Sequence, residues 1–329
     1  MHQEAFVEKY QTLWDELGSI LGELERSRFK RRGSADPAAR LPHLYRYVCN
    51  HYALAQRRRY SPTLVEQLHS LVLRGHQQLY TRRGAWLWQL LMFIVADFPR
   101  TLRQNLRYFL LSLALFLVPA TVVGGLCMVD ENLIYSVMGN EQVAEMESMY
   151  DPGNRKVGRE SGRDSESDFA MFGYYIYNNI GIGFRSFAMG ILAGVGTVLT
   201  MIFNGLIIGG VAGHLTRIGY GSTFWPFVCG HSALELTAIV ISGASGLMLG
   251  HALLAPGQLS RLDALKQRGR IALKLVMGAA LMLLGAAFIE AFWSSSGVSS
   301  EIKYLVAAVL WTLVIAYFTF AGRGRHGAG

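Results

Sequence analysis

One stretch, residues 178–256, decides the fold: it is NNIGIGFRSFAMGILAGVGTVLTMIFNGLIIGGVAGHLTRIGYGSTFWPFVCGHSALELTAIVISGASGLMLGHALLAP. Roughly 20 apolar residues are enough to cross the hydrocarbon core of a bilayer, and this stretch is several times that length. Its charged side chains are only Arg185, Arg217 and Glu235. The sequence therefore predicts an all-α, polytopic membrane protein.

Working outward from this stretch, the apolar runs predict about six membrane spans. A very tight, glycine-rich turn near Thr197 is expected to separate the second span from the third. A five-span alternative treats residues 180–217 as one long kinked helix with a re-entrant piece. The six predicted spans are residues 109–128, 178–196, 199–217, 224–254, 275–293 and 304–321.

The charged residues occur in blocks that alternate around the spans. Residues 1–108 carry 17 Lys/Arg against 9 Asp/Glu, residues 129–172 carry 4 against 10, and residues 256–275 carry 5 against 1. Since basic loops stay in the cytoplasm, the pattern predicts a cytoplasmic N-terminus, an outer acidic loop and a cytoplasmic C-terminus. The basic N-terminal region has no groove-reading motif, so no nucleic-acid partner is expected.

The same patterns divide the chain into segments. Apolar residues at helical spacing predict three helices, 4–25, 41–58 and 61–82, in a cytoplasmic domain that serves either as a docking module or as a solvated cap. No cleavable signal peptide is expected, because the N-terminus lacks an apolar run. The predicted segments are a helical domain (1–83), an interfacial amphipathic helix (84–107), the first span (108–128), the acidic loop (129–172), the multi-span core (173–322) and a tail (323–329).

Small residues recur every fourth position in the apolar core. This spacing lets helix backbones approach closely in lipid, so it predicts tight packing within the chain or, alternatively, a dimer face. The glycines concerned are Gly190, Gly194, Gly205, Gly209, Gly213, Gly246 and Gly250.

A polar stripe marks one face of the span 224–254. His231 and Glu235 are four residues apart, Ser242 and Ser245 follow on the same face, and Asn204 is expected on a neighbouring helix. The stripe fits a hydrogen-bonded structural cluster, an ion or proton path, or a catalytic or metal centre. The last is disfavoured, because His-x-x-x-Glu offers two ligands and no nucleophile motif accompanies it. We therefore expect no metal, no cofactor and no enzyme activity.

Three more polar positions receive only structural interpretations. Asn178 and Asn179 are expected at the edge of a span, where paired amides cap a helix or bind a loop. Glu290 is expected near the outer end of its span, where it reaches the interface. The three cysteines, Cys49, Cys127 and Cys229, fit neither a disulfide framework nor a zinc spacing.

Residues 105–321 resemble the stage II sporulation protein M family of bacterial membrane proteins. The shared features are Asn178-Asn179, the run Gly190/Gly194/Gly196-Thr197, Asn204-Gly205, His231-x-x-x-Glu235, the glycines from Gly243 to Gly250, and Pro256. One departure is Gly230-His231-Ser232, where the family usually has Pro-His-Gly. The helical N-terminus is similar to that of the longer, non-sporulating branch.

The resemblance implies a non-enzymatic scaffold in the bacterial inner membrane. The sporulation member of the family is similar to a scaffold that recruits peptidoglycan hydrolases, and longer homologues tend to lie beside AAA ATPases of the MoxR type. It therefore implies envelope or peptidoglycan-remodelling partners, a cytoplasmic ATPase complex and a homodimer. The alternative is a small-solute or ion transporter that uses Asn204, His231 and Glu235.

Overall fold

The computed structural model describes residues 2–26, 37–80, 85–153 and 165–323, and every regular element in these ranges is helical. The chain divides into two compact units, Met1–Leu90 and Leu91–Gly329. The predicted all-α class is therefore confirmed.

The first unit is a small bundle of three amphipathic helices. They are α1 (Gln3–Arg26), α2 (Pro37–Arg57) and α3 (Pro62–Tyr80). Their apolar faces meet in a core that includes Phe6, Trp14, Leu17, Val48 and Leu68. This is the ordinary solution in water, where each helix buries one apolar stripe and solvates the other face.

The segment that we predicted as one interfacial helix, residues 84–107, includes the boundary between the units at Leu90 and Leu91. The structure instead has three consecutive pieces: α4 (Ala85–Met92), a π turn (Phe93–Asp97) and α5 (Phe98–Gln104). Phe98 and Leu102 of α5 are buried in the core of the second unit. The ring of Phe98 lies against Gly278, which leaves room for it, so α5 packs into the bundle instead of lying on its surface.

The remaining elements form the bundle itself. The helices are α6 (Leu106–Cys127), α7 (Asn140–Tyr150), α8 (Ser165–Ala188), α9 (Val195–Arg217), α10 (Gly221–Leu254), α11 (Arg261–Phe288) and α12 (Ser300–Phe320). A short 3₁₀ turn, Leu133–Ser136, lies between α6 and α7. Another 3₁₀ turn, Met189–Ile191, follows α8, and a π turn, Ile289–Ser294, follows α11.

Five helical segments in the described ranges are long and apolar enough to cross a membrane: Leu106–Cys127, Val195–Arg217, Gly221–Leu254, Arg261–Ser294 and Ser300–Phe320. The helix α8 is more polar, but it also runs the height of the bundle. Its Phe172 packs against Phe288 and Phe292, near the end of α11, and its Gly183 lies beside Ser242 in the middle of α10. The helix α8 is not one of the five apolar segments, and it packs against α10 and α11 as a further long helix of the bundle.

The second predicted span, residues 178–196, has the wrong bounds. The helix α8 begins at Ser165, inside the predicted acidic loop, and ends at Ala188. The chain then reverses through Ala193 and Gly194, whose φ angles are 51° and 82°. Such positive φ angles end a helix, and glycine adopts them without steric cost. The turn therefore precedes Thr197, and the single kinked helix of the five-span alternative is replaced by two helices.

Contacts between segments distant in sequence define two ends of the bundle. At one end, which we call the cap end, residues that follow α6 contact the end of α9. Glu131 pairs with Arg217 at 3.0 Å, and Glu147 contacts His214 at 2.7 Å. At the opposite end, which we call the tail end, α5 contacts the end of α12. The Arg103 guanidinium donates there to the carbonyls of Phe318, at 2.8 Å, and Ala321, at 2.6 Å. The cap, residues 129–153, includes the short helix α7.

Parts of two predicted segments lie outside the described residues. They are residues 154–164 of the predicted acidic loop and residues 324–329 of the predicted tail.

The glycine spacing serves contacts within the chain. A Cβ placed on Gly205, Gly209 or Gly213 of α9 would lie less than 3.0 Å from a backbone oxygen of α6. A Cβ on Gly190 would likewise lie less than 3.0 Å from the backbone of Gly246 on α10, and a Cβ on Gly250 of α10 would lie less than 3.0 Å from the backbone of Gly194. The intramolecular alternative for these glycines therefore describes the structure.

Candidate functional site

The central helix of the bundle, α10, carries two of the predicted site residues. His231 and Glu235 are one turn apart, and His231 is 5% exposed. Their nearest side-chain atoms, His231 Nε2 and Glu235 Oε2, are 3.6 Å apart. The predicted juxtaposition on one helix face is therefore present in the structure.

The π turn after α11 brings a third titratable group to this pair. His231, Glu235 and Glu290 each offer one ligand atom, and these atoms all lie within 4.8 Å of one another. The same turn supplies Ser294, whose Oγ is 3.1 Å from His231 Nδ1. A π turn has a wider spacing than an α-helix and often occurs at functional sites. Here it directs two side chains, four residues apart, toward the same imidazole.

The helix α8 closes the site with an amide pair. Asn179, which is 2% exposed, donates from Nδ2 to Glu290 Oε2 at 3.3 Å, and its Oδ1 accepts from Asn178 Nδ2 at 3.2 Å. Both asparagines lie inside α8, so the capping interpretation is wrong for them. Their place in the site is to hold the carboxylate of Glu290.

A buried lysine from α12 holds the π turn from the other side. Lys303 is 1% exposed, and its Nζ donates to the carbonyl oxygen of Ser294 at 2.8 Å. A lysine at this depth is costly unless its donors have acceptors. The contact fixes Ser294, and through it the ring of His231.

This arrangement has two chemical capacities. The imidazole and the two carboxylates converge like the ligands of a metal centre. Ser294, His231 and Glu235 also follow one another like a Ser–His–Glu triad. An acyl-transfer site needs room for a substrate beside the nucleophile, however, and Ser294 is only 2% exposed. A metal-binding role therefore fits the geometry better than an acyl-transfer role.

The other predicted cluster residues do not join this site. Asn204 on α9 has its Nδ2 buried without a hydrogen-bond partner in the described part of the chain. It lines a separate cavity with Ile182 and Arg185. Ser245 donates to Ile241 O of its own helix at 2.8 Å, and Ser242 is buried beside Gly183. The polar stripe thus contributes only His231 and Glu235 to the site. Further along α10, its serines have a structural role.

The remaining signature residues support helix packing. Thr197 Oγ1 donates to Ser186 O at 2.8 Å, which ties the start of α9 to the end of α8. The signature glycines Gly190, Gly194, Gly205, Gly246 and Gly250 all lie at the close backbone contacts described above.

A second histidine–glutamate contact lies at the cap end. His214 Nε2 is 2.7 Å from Glu147 Oε1, and the His214 side chain is largely buried. Nearby, Thr223 Oγ1 donates to Tyr150 O. These bonds fasten the cap to α9 and α10, and they provide a natural comparison for the site around His231.

Sequence reasoning missed Glu290, Ser294 and Lys303 as members of the site. Their separation from His231 in sequence, 59 to 72 residues, gives no local spacing to recognise. One signal was available: Glu290 is the only carboxylate between residues 275 and 300. An ionisable residue in a span usually faces the bundle interior.

The fold and the site together define a class: a polytopic α-helical membrane protein with a buried cluster of ionisable side chains. The family model of stage II sporulation protein M matches residues 109–295, more than half of the chain, so the protein belongs to this family. The first unit matches a domain of unknown function (DUF8413) over residues 4–81. No curated protein and no solved structure matches the chain.

Proposed function

We propose that this membrane protein is a non-enzymatic scaffold that organises a cell-envelope or cell-wall complex in the bacterial inner membrane. Membership of the stage II sporulation protein M family supports a role of this kind. In this proposal the tail end of the bundle faces the cytoplasm, together with both termini. The basic residues at that end, among them Arg100, Arg103, Arg107 and Arg268, support this orientation.

The observation that carries the proposal is the backbone-to-backbone packing of the bundle. Along α9, three glycines meet the backbone of α6, and Gly190 and Gly194 meet the backbone of α10. Helices packed this closely have no side chains between them that could repack during a rocking motion. A rigid bundle suits the display of partner-binding surfaces.

The two surfaces proposed for partners lie on the two sides of the membrane. The cap presents exposed residues such as Glu141 and Glu145 on α7 to envelope or peptidoglycan-remodelling proteins. The three-helix unit presents a solvated surface to a cytoplasmic partner, for which an AAA ATPase complex is our candidate. A homodimer is also proposed, through a face other than the glycine contacts, since these lie within one chain.

Ion transport is the second candidate, and one observation favours it. His231, Glu235 and Glu290 form a cluster of groups able to exchange protons or bind cations inside the bundle. The cluster would act without Asn204, which lines a different cavity.

Photo-crosslinking in native membranes tests the scaffold. A photoreactive residue at Glu145 on the cap is expected to give covalent adducts with envelope proteins, and one at Glu8 on α1 adducts with cytoplasmic proteins. Glu235→Gln keeps the shape of the side chain and should leave both sets of adducts unchanged. Ion flux in proteoliposomes that stops in Glu235→Gln would instead favour transport, as would the absence of specific adducts at both positions.

A further inference from the structure

The strongest unassigned feature of the molecule is the convergence of three electron-pair donors inside the bundle. His231 and Glu235 come from α10, and Glu290 comes from the π turn after α11. Their ligand atoms lie within 4.8 Å of one another. We propose that His231, Glu235 and Glu290 form a binding site for a divalent transition-metal ion such as Zn²⁺. The proposal goes beyond the scaffold function and does not depend on it.

The separation of the donors supports a bridging ion over a direct hydrogen bond. His231 Nε2 and Glu235 Oε2 are 3.6 Å apart, which is longer than an N–H···O hydrogen bond. Metal–ligand bonds of 2.0–2.2 Å in a tetrahedral zinc site put neighbouring ligand atoms about 3.4 Å apart. The histidine and glutamate are thus spaced as two ligands of one ion.

The orientation of the imidazole agrees with this role. Ser294 Oγ lies 3.1 Å from His231 Nδ1, so Nδ1–H donates to the hydroxyl when Nε2 binds the metal. Metal-binding histidines are commonly held in this way, through the nitrogen that does not bind the ion. Lys303 fixes the backbone of Ser294, and Asn179 holds the carboxylate of Glu290. The ligands therefore have an outer shell of positioning groups.

The charges of the site favour a bound cation in the interior of the bundle. Two ionised carboxylates close together in a bundle interior repel each other and are poorly solvated. A divalent cation balances their two charges, and the neutral imidazole adds a third ligand. One imidazole and two carboxylates suit Zn²⁺ and related first-row ions better than Cu(I), which prefers sulfur, or Ca²⁺, which takes six to eight oxygen ligands.

The test uses the full chain, purified without a histidine tag in lipid nanodiscs and stripped with a chelator. Zn²⁺ binding is measured by elemental analysis after equilibrium dialysis and by competition with a chromophoric chelator. We expect about one Zn²⁺ per chain for the unmodified protein and its loss in Glu290→Gln and Glu235→Gln. Asn179→Ala removes only an outer-shell contact and should weaken binding about 10- to 100-fold.

Glu147→Gln is the matched control, because it removes a carboxylate from the other histidine–glutamate contact, at His214. It should bind Zn²⁺ as the unmodified chain does. Failure of the unmodified chain to bind Zn²⁺ or Mn²⁺ would overturn the proposal, and so would equal binding by folded Glu290→Gln.

A second measurement covers the case in which the site variants do not fold. X-ray absorption of the Zn²⁺-loaded, unmodified chain reads the ligand atoms directly. We expect imidazole nitrogen and oxygen at about 2.0–2.2 Å. Sulfur in the first shell would place the ion at a cysteine and contradict the assignment.

Discussion

The three-helix unit and the α6–α9 contact of the membrane bundle bury opposite kinds of side chain between their helices. In the three-helix unit the contacts are made by large residues, with Trp14 1% exposed and Leu17 fully buried. In the membrane bundle α6 and α9 meet through glycines, while large residues such as Leu117 and Val118 point outward. Large side chains thus lie between the helices in the first case and on the outer surface in the second.

The difference follows from the solvent around each unit. In water, removing apolar surface drives helices together, so large side chains go inside. In lipid there is no such gain, and close van der Waals packing between small residues takes its place. The comparison predicts that the glycine contact between α6 and α9 is most sensitive to added volume and that the three-helix unit is most sensitive to removed volume.

The largest effect is expected for Gly209→Val on α9. Its Cβ would lie less than 3.0 Å from the backbone oxygen of Ala120, which cannot move without separating α6 from α9. The cost should exceed the roughly 1–3 kcal/mol of ordinary core overpacking. We expect loss of the monodisperse peak in size-exclusion chromatography.

Gly125→Val on α6 is the control for added volume. A Cβ at Gly125 meets nothing within 4 Å, so this variant should elute like the unmodified chain. Normal elution of Gly209→Val would show that the glycine contact is not needed for the fold.

In the three-helix unit the expected large effect comes from removing bulk, as in Trp14→Ala. Trp14 contacts Phe6 and His51, and truncating such a residue costs about 3–5 kcal/mol. Hydrogen exchange should show lost protection in α1, α2 and α3. Thr12→Ala, at an exposed position of the same helix, should leave the protection intact. A Trp14→Ala variant with native protection would contradict the comparison.

A smaller effect is expected from pH, through His51. Burial lowers the pKa of His51 below its ordinary value, and Trp14 Nε1 donates to its Nδ1 at 3.1 Å, a bond that requires the neutral ring. The unfolded imidazole has a pKa near 6.5, so below that pH the unfolded state holds a proton that the folded state lacks. Stability of the unit should therefore be full above about pH 6.5 and fall as the pH drops toward the lower folded pKa.

Hydrogen exchange at pH 7.5 and pH 5.5, corrected for the intrinsic rate, measures this loss. His51→Gln keeps an acceptor for Trp14 but does not titrate, so its protection should change less with pH. His43→Gln, at an exposed position of the same helix, should keep the pH dependence of the unmodified chain. Identical pH profiles for all three proteins would rule out His51 as the cause.

The sequence predicts most of the fold because both solvents leave periodic patterns. The amphipathic repeats around Trp14 and Leu17 predict the helices of the first unit, and the long apolar runs predict the spans. The start of α8 at Ser165 was missed, because a polar helix turn beyond the apolar run has no hydropathy signal. The docking of α5 was also missed, since it depends on Phe98 meeting Gly278 from a distant helix.

The candidate site was predictable only where its members share a helix. His231 and Glu235 could be placed on one face, because their spacing of four is local. Glu290 and Ser294 reach the same point only through the π turn and the packing of α11 against α10, neither of which has a spacing rule. Asn204 shows the converse: the glycine next to it, Gly205, packs against α6, and the asparagine consequently points into another cavity.

The smallest effect is expected at the surface of the three-helix unit, for Arg74→Ala. Arg74 binds Glu25 with two hydrogen bonds of 3.0 Å, and the bond from Arg74 lowers the pKa of Glu25. Both side chains are well exposed, and an exposed ion pair contributes about 0.2–1 kcal/mol. Protection of amides in α1 and α3 should therefore fall by about fivefold at most, and by less in 1 M salt, where charges are screened within about 3 Å.

Arg103→Ala in the bundle is the contrasting variant. Arg103 donates to two carbonyls at the end of α12, which have no partners within that helix. Removing a donor from these part-buried carbonyls should cost more than removing an exposed ion pair, up to the roughly 1–3 kcal/mol of a buried acceptor left without a partner. Exchange at the end of α12 should consequently rise more in Arg103→Ala than exchange in α1 and α3 rises in Arg74→Ala. A larger rise in Arg74→Ala than in Arg103→Ala would mean that water replaces the guanidinium at the tail end. The contrast between the two units would then not extend to their polar contacts.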